Sequence, residues 1–355
     1  MKEQSFESFS KNLHRTNQRK PLYGQIELTY NCRYSCRHCY CKNQPRNDLG
    51  AGFWKKILDQ LKSQGCFEIT FTGGDPLLHK EFLSIYDYAI NNGFLVTIFT
   101  SGYPLTDELI SFLSDQPPVS IEITVNSLNK LTYEKITGFK GGFDKTFSNI
   151  YKLKERGLPL ILKCNGLRQN KNEIYQIKKF AEELLGKGKF KYDSFIFPGL
   201  NGEKAPLDCR LKPEEIKEIE QNDEDMSRQR RDQLKLKGHW FNPKGLYHCN
   251  SWLSRFYINP QGLLQFCHLT KDFSTDLKSE PFKAGFDRFI EVLAVKPANE
   301  SKCLGCELLH YCYRCPARAF LETGDPEAPV EYYCELARLT KDFEDEWQSQ
   351  LESEC

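Results

Sequence analysis

The sequence predicts an α/β chain: six strand-plus-helix units building a parallel sheet, followed by a small cysteine-rich domain. Two observations carry this. Between residues 24 and 197, short β-rich runs alternate with helical stretches at intervals of roughly 25–40 residues, the rhythm of βα repeats. Beyond them, seven of the 15 cysteines fall between residues 249 and 334 with little hydrophobic periodicity around them. A length of 355 residues suits two domains and a small appendage, at roughly 150 residues per domain.

The candidate strands are residues 25–29, 68–71, 95–99, 120–125, 160–163 and 192–196. Helical patterns lie near residues 53–64, 80–92, 105–114, 144–156 and 172–185. Six such units suit a partial barrel or a doubly wound sheet, and either places ligand chemistry at the carboxyl ends of the strands. Residues 1–23 read as a polar extension, 24–200 as the repeat domain, and 201–248 as a mostly solvated bridge. In the bridge, Pro213 stands near a helix start, ahead of Glu214, Glu215, Ile216 and Ile219. The charge run from Arg228 to Lys237 reads as a solvated face, with the gripping of an acidic peptide as the alternative. Residues 249–336 read as a domain held by metal rather than by a core. In the tail, 337–355, Leu339, Phe343, Trp347 and Leu351 make one narrow helical stripe that packs on its own domain.

Composition excludes several classes. With 39% hydrophobic and 27% charged residues the chain can fill a core, so it is not a disordered protein. Forty-nine basic against 48 acidic side chains argue against nucleic acid as a partner. No apolar run approaches the ~18 residues of a membrane span, and residues 1–20 are polar, with no secretory signal. The expectation is a cytoplasmic protein without a membrane partner. In a reducing compartment, 15 cysteines point to metal binding rather than disulfides.

Cys32, Cys36 and Cys39 follow directly after the first candidate strand. Three thiolates on one strand-to-helix loop can converge on a single inorganic centre, and three ligands leave a four-iron cube with one open position. A Cx3Cx2C loop in this place resembles that of the radical S-adenosylmethionine enzymes. Thr72-Gly73-Gly74-Asp75-Pro76 resembles their GGE-P motif, with Asp75 in place of Glu; Thr100-Ser101-Gly102 resembles their T-N-G. Asn126-Ser127-Leu128, followed by Tyr133 to Gly138, resembles their S-L-D…H-D-R-I-R-G stretch, with Lys135 and Thr137 replacing the arginine-containing pair.

The resemblance implies a partial (β/α)6 TIM-like barrel. It also implies S-adenosylmethionine contacts from His38, Gly73, Gly74, Asp75, Pro76, Thr100, Ser101, Asn126, Ser127 and Asn165, with a [4Fe-4S] cluster on Cys32, Cys36 and Cys39. One-electron reduction then releases methionine and a 5′-deoxyadenosyl radical, which abstracts hydrogen from an unactivated carbon.

The second field runs Cys249, Cys267, Cys303, Cys306, Cys312, Cys315 and Cys334. Asn259-Pro260-Gln261-Gly262 has the proline and glycine of a type I turn and would pair the flanking strands, bringing Cys249 and Cys267 together. The order resembles the SPASM extension of the same enzymes, departing in the two-residue gap between Cys312 and Cys315. It implies two auxiliary [4Fe-4S] clusters, three clusters in all. One is closed by Cys303, Cys306, Cys312 and Cys334; the other is held by Cys249, Cys267 and Cys315, with a fourth position open, closed by another residue, or filled by a substrate thiolate. Two zinc knuckles are the alternative reading of these spacings. Cys41 reads as a bystander and Cys66 and Cys164 as small core residues. Cys209 and Cys355 are unassigned candidates for the missing ligand, and His268 is a candidate proton acceptor.

The resemblance implies post-translational modification of a peptide or protein: a crosslink, thioether, backbone excision or side-chain oxidation. Flavodoxin or ferredoxin would donate the electron. About twenty residues before the first strand are too few for a leader-recognition domain, so a separate small protein is expected to present the substrate unless the enzyme binds it unaided. The alternatives are tailoring of a haem-type tetrapyrrole and a non-catalytic zinc-binding interaction module.

Overall fold

The computed structural model describes residues 19–240, 245–247, 249, 251–298 and 301–353. Six strands alternate with helices as the repeats require: β1 (Tyr23–Thr29), β2 (Glu68–Gly73), β3 (Leu95–Thr100), β4 (Ser120–Thr124), β5 (Leu160–Asn165) and β6 (Phe190–Asp193). They pair in parallel, each with its sequence neighbour. The connecting helices are α1 (Ala51–Ser63), α2 (Phe82–Asn91), α3 (Asp107–Asp115), α4 (Lys130–Thr137), α5 (Gly142–Glu155) and α6 (Ile174–Leu185). Trp54, Ile57 and Leu61 of α1 and Ile85 and Tyr86 of α2 are buried with Ile26, Phe71 and Ile98 of the strands in one core.

Helix α4 was read as a motif stretch rather than a helix. It is short, and its signals are local: Asn129 accepts from Thr132 N at its start, and Gly138, left-handed at φ 63°, ends it. The sixth strand ends earlier than expected because Asp193 Oδ1 accepts from Phe195 N, an Asx turn that leaves the ladder.

Two further expectations are corrected. The cysteine-rich segment does not rely on metal alone. Strand β7 (Arg255–Ile258) adds to the free side of β1 in parallel, and β8 (Leu263–Gln265) and β9 (Thr275–Asp276) extend the same sheet antiparallel to nine strands. Phe256, Phe266, Phe282, Phe286 and Phe289 are buried in the barrel's own core. The turn is as expected: Gly262 N donates to Asn259 O, with Gly262 at φ 80°.

Nor is the bridge mostly solvated. Helices α7 (Pro213–Gln221) and α8 (Glu224–Trp240) bury Ile216, Ile219 and Met226, and Arg230 pairs with Glu220 in the interior. Arg228 holds Asp225 at the surface. After the short helices α9 (Ser251–Ser254), α10 (Phe282–Arg288) and α11 (Pro316–Thr323), the chain ends in α12 (Glu331–Ser353). The tail stripe packs on the bridge, with Lys217 over the Phe343 ring and Arg231 over Trp347. The side chain of Leu351, Cys355 and residues 1–18 lie outside the described residues.

Candidate active site

Beyond β1 the chain turns through Tyr30 and Asn31 into the loop carrying Cys32, Cys36 and Cys39. The three thiols interact through their charges. Burial, then Asp75, pushes Cys32 up to about 12; burial, then Cys39 and Cys32, raises Cys36. Cys39 is lowered to about 7, chiefly because Cys41 donates to it at 3.6 Å. Cys41, read as a bystander, is a buried neighbour of this group.

The loop rests on the α4–α5 corner: Ser35 N donates to Thr137 O, and Tyr34 Oη bonds to Thr146 and Tyr133. Lys135 is exposed and the Thr137 hydroxyl donates to Tyr133 O, so the Tyr133–Gly138 stretch buttresses the cysteine loop.

The glycine turn after β2 lies against the start of the same loop. Gly74 N donates to Thr29 O and Asp75 N to Asn31 O. Gly73 has φ 130°, and a Cβ there would stand 2.2 Å from Thr29 O; one on Gly74 would stand 2.5 Å from Asn31 O. These glycines are required by backbone-to-backbone contact with the cysteine loop, independently of any cofactor. The Asp75 carboxylate is buried and accepts from Thr100 Oγ1, Ser101 N, Ser101 Oγ and Leu77 N, binding the end of β2 to that of β3. Pro76 opens the short 3-10 turn that follows.

At the ends of β4 and β5, Asn165 N donates to Asn126 Oδ1, Asn170 spans both strands through Asn126 O and Asn165 O, and Asn165 Nδ2 reaches His38 Nε2 at 3.4 Å. Burial lowers His38 to about 4, so its ring is neutral. Ser127 is committed elsewhere, its hydroxyl donating to Glu173. Asn170 and Glu173 were missed; nothing but their place just before a helix marked them. Glu27 was also missed, although a charged residue inside an apolar strand is a usable signal. It is buried and accepts from both Tyr30 and Tyr40.

Burial, then Cys315 and Cys249, raises the Cys267 thiol; burial, then Cys312, raises Cys334, with Cys303 and Cys306 acting in the same sense. Cys209 is buried elsewhere, with Ile136, Leu167 and Ile196. Cys66 and Cys164 are core residues as expected. His268 packs against the rings of Tyr257, Tyr40 and Phe197 at 5.1, 5.5 and 5.9 Å. Burial lowers it to about 4, and its enclosed Nδ1 has no hydrogen-bond partner among the described residues.

The donors fit iron–sulfur chemistry: a loop with three cysteines follows β1, and the C-terminal segment offers further thiols of the same kind. No three His, Cys, Asp or Glu side chains among the described residues close around a single-ion position.

This architecture defines a class of barrel enzyme whose reactive centre is built on one cysteine loop. The Radical SAM superfamily description matches residues 26–181. The S-adenosylmethionine-dependent nucleotide dehydratase of Selenomonas ruminantium is 30% identical over 197 residues, 51% of this chain and 69% of that protein. The sporulation killing factor maturation protein SkfB of Bacillus subtilis is 29% identical over 173 residues, 48% of this chain and 41% of that protein. The AdoMet-dependent heme synthase of Methanosarcina barkeri is 23% identical over 339 residues, 87% of this chain and 94% of that protein. Among solved structures, Streptococcus suis SuiB bound to its precursor peptide SuiA shares the fold, with a TM-score of 0.69 at 16% identity, over 92% of this chain and 80% of that one.

The chain belongs to the radical S-adenosylmethionine superfamily and is an enzyme of that kind. The non-catalytic zinc reading is thereby overturned. No described helix is long and apolar enough to cross a membrane.

Proposed function

We propose that the chain modifies a peptide or protein, using one cluster on Cys32, Cys36 and Cys39 and two auxiliary clusters on the C-terminal thiols. The carrying observation is a cavity of about 510 Å³ at the carboxyl ends of β3–β6, flanked by α8 and lined in part by Phe99, Glu122, Lys163, Asn165, Lys191 and Arg230. Its wall is charged. Glu122 faces both Lys191 and Lys163, and Lys163 Nζ also stands 3.1 Å from the centre of the Phe99 ring. Such a chamber suits a polar peptide segment better than the flat apolar face of a tetrapyrrole. The Bacillus maturation protein and the peptide-bound SuiB support the same substrate class. The heme synthase likeness, over most of both chains, keeps tetrapyrrole tailoring as the second reading.

The bound cluster and S-adenosylmethionine supply one-electron chemistry that removes a hydrogen atom from an unactivated carbon. The chain's own part is positional. Gly73 and Gly74 lock the turn after β2 to the cysteine loop, and Asp75 fixes Thr100 and Ser101 beside it. Asn165, in the cavity wall, also reaches His38 of that loop, which places the cavity beside the cysteine loop.

The test is anaerobic incubation with S-adenosylmethionine, dithionite and, separately, deuterated peptide and tetrapyrrole fractions. Deuterium appearing in 5′-deoxyadenosine from the peptide fraction supports the proposal; label from the tetrapyrrole fraction overturns it. Flavodoxin or ferredoxin replacing dithionite tests the electron donor.

A further inference from the structure

Arg318 brings to the cysteine-rich segment a positive charge that no carboxylate among the described residues meets in an ion pair, the exposed Asp193 acting on it only at longer range. The other deep guanidiniums hold glutamates: Arg210 holds Glu322 and Arg230 holds Glu220. Arg318 forms no ion pair among the described residues. It lies on α11 one turn beyond Cys315, its own backbone N–H donating to Cys315 Sγ at 3.4 Å. Its guanidinium lies 4.9 Å from the ring centre of Phe195, 5.8 Å from Phe197 and 6.0 Å from Tyr333. Nη1 donates to Tyr313 O, while Nε is fully enclosed and has no partner among the described residues. Its charge is felt by Tyr333, Cys315, the exposed Asp193 and Cys267. Arg318 is partly buried, and an enclosed donor without acceptor is costly unless something compensates it.

We propose that Arg318 is a positioning and tuning residue for the cluster held by Cys249, Cys267 and Cys315: Nε is the donor available to a cluster sulfur, and the guanidinium charge raises that cluster's reduction potential. This rests on the reading that these three thiols hold an iron–sulfur cluster. The step is a one-electron reduction of the cluster, with dithionite as donor in vitro. The reduced cluster is more negative by one charge, so a fixed cation in a weakly polar surrounding stabilises it more than the oxidised form. Hydrogen bonds to the sulfurs act in the same direction. A raised potential suits a cluster that accepts an electron from a substrate radical.

Arg255 is the built-in control. Its charge also reaches Cys249, but it is exposed to solvent and its Nε donates to Tyr23 Oη at 2.6 Å. Water screens it, and its effect on the potential is small.

The experiment is a redox titration followed by electron paramagnetic resonance, on reconstituted protein in which Cys32, Cys36 and Cys39 are alanine. The signal lost on further Cys249→Ala substitution identifies the cluster in question. Arg318→Gln shifts that signal's midpoint to more negative potential, Arg318→Lys shifts it less, and Arg255→Gln leaves it nearly in place. An Arg318→Gln midpoint equal to the parent's overturns the proposal. If Arg318→Gln protein does not hold iron, 15N-arginine-labelled Arg255→Gln protein replaces it: pulsed resonance must still detect an arginine nitrogen coupled to the reduced cluster, and absence of coupling overturns the proposal. Should the parent bind no iron at Cys249, Cys267 and Cys315, the cluster reading itself fails and the proposal with it.

Discussion

Gly74→Ala tests whether the glycine turn serves the cofactor directly or through the cysteine loop. The added methyl would sit 2.5 Å from Asn31 O and 2.7 Å from Tyr30 O, both backbone atoms that cannot rotate away. Real carbon–oxygen contacts do not fall below 3.0 Å, so the turn and the loop must part by at least half an ångström. Asn31 is bonded to Cys32, and that displacement passes straight into the first thiol. Misplacing a reacting group by about 1 Å costs on the order of 100-fold in rate, so a shift of half that size is expected to slow S-adenosylmethionine cleavage by about 10-fold. The assay is anaerobic 5′-deoxyadenosine formation, normalised to iron bound per chain. Gly93→Ala is the control for strain alone, since its φ of 84° is also left-handed but nothing lies within 4 Å of the new methyl. Gly74→Ala protein that cleaves S-adenosylmethionine at the parent rate would refute the reasoning.

Replacing Cys32, Cys36 and Cys39 together with alanine is expected to abolish 5′-deoxyadenosine formation while C-terminal iron persists, read by iron analysis. Arg210→Met leaves the buried Glu322 unpaired and is expected to lower unfolding stability by about 3–5 kcal/mol, measured in urea. Lys163 is held down to about 8 by burial, with Glu122 opposing. Below pH 8 the folded chain carries a penalised ammonium; between pH 8 and the unfolded value of about 10.4 the unfolded state binds more protons, so this group makes stability rise with pH. Lys163→Met is expected to flatten that rise, and an unchanged slope in urea titrations from pH 7 to 10 would count against it. Gly24→Val drives a side chain into the Phe256 ring, 2.1 Å from a Cβ at that position, and is expected to lower the melting temperature and C-terminal iron content together.

Much of the barrel was legible because its signals are local. An apolar run such as Leu160-Ile161-Leu162 marks a strand although only Leu160 and Leu162 of the three are fully buried, and a cysteine triplet on a loop needs no long-range information to be noticed. The partition of the C-terminal thiols rests on the resemblance, since spacing alone allows other sets. What stayed hidden depends on distant partners. Nothing local says that Phe256 will pack on Gly24, that Arg230 will turn inward to Glu220, or that the Ser127 hydroxyl will be taken by Glu173, 46 positions away. Asp75 shows the same limit: its substitution for glutamate was visible, while its four bonds to Thr100, Ser101 and Leu77 belong to the folded sheet.

The continuity of the sheet gives the auxiliary segment its mechanical meaning. Strand β7 pairs with β1 from Tyr23↔Arg255 to Ile26↔Ile258, so the hairpin carrying Cys267 is registered directly against the strand that ends at the first cysteine loop. The two cysteine regions then meet again at their far ends, where Tyr40, next to Cys39, touches His268, next to Cys267. A segment joined by a flexible tether would sample many separations from the barrel. One fixed by strand register at one end and by ring contact at the other holds a single separation. On the proposed function, electron transfer and substrate placement would both depend on such distances, and the four-residue β1–β7 ladder and the Tyr40–His268 contact would set them from outside the cysteine motifs.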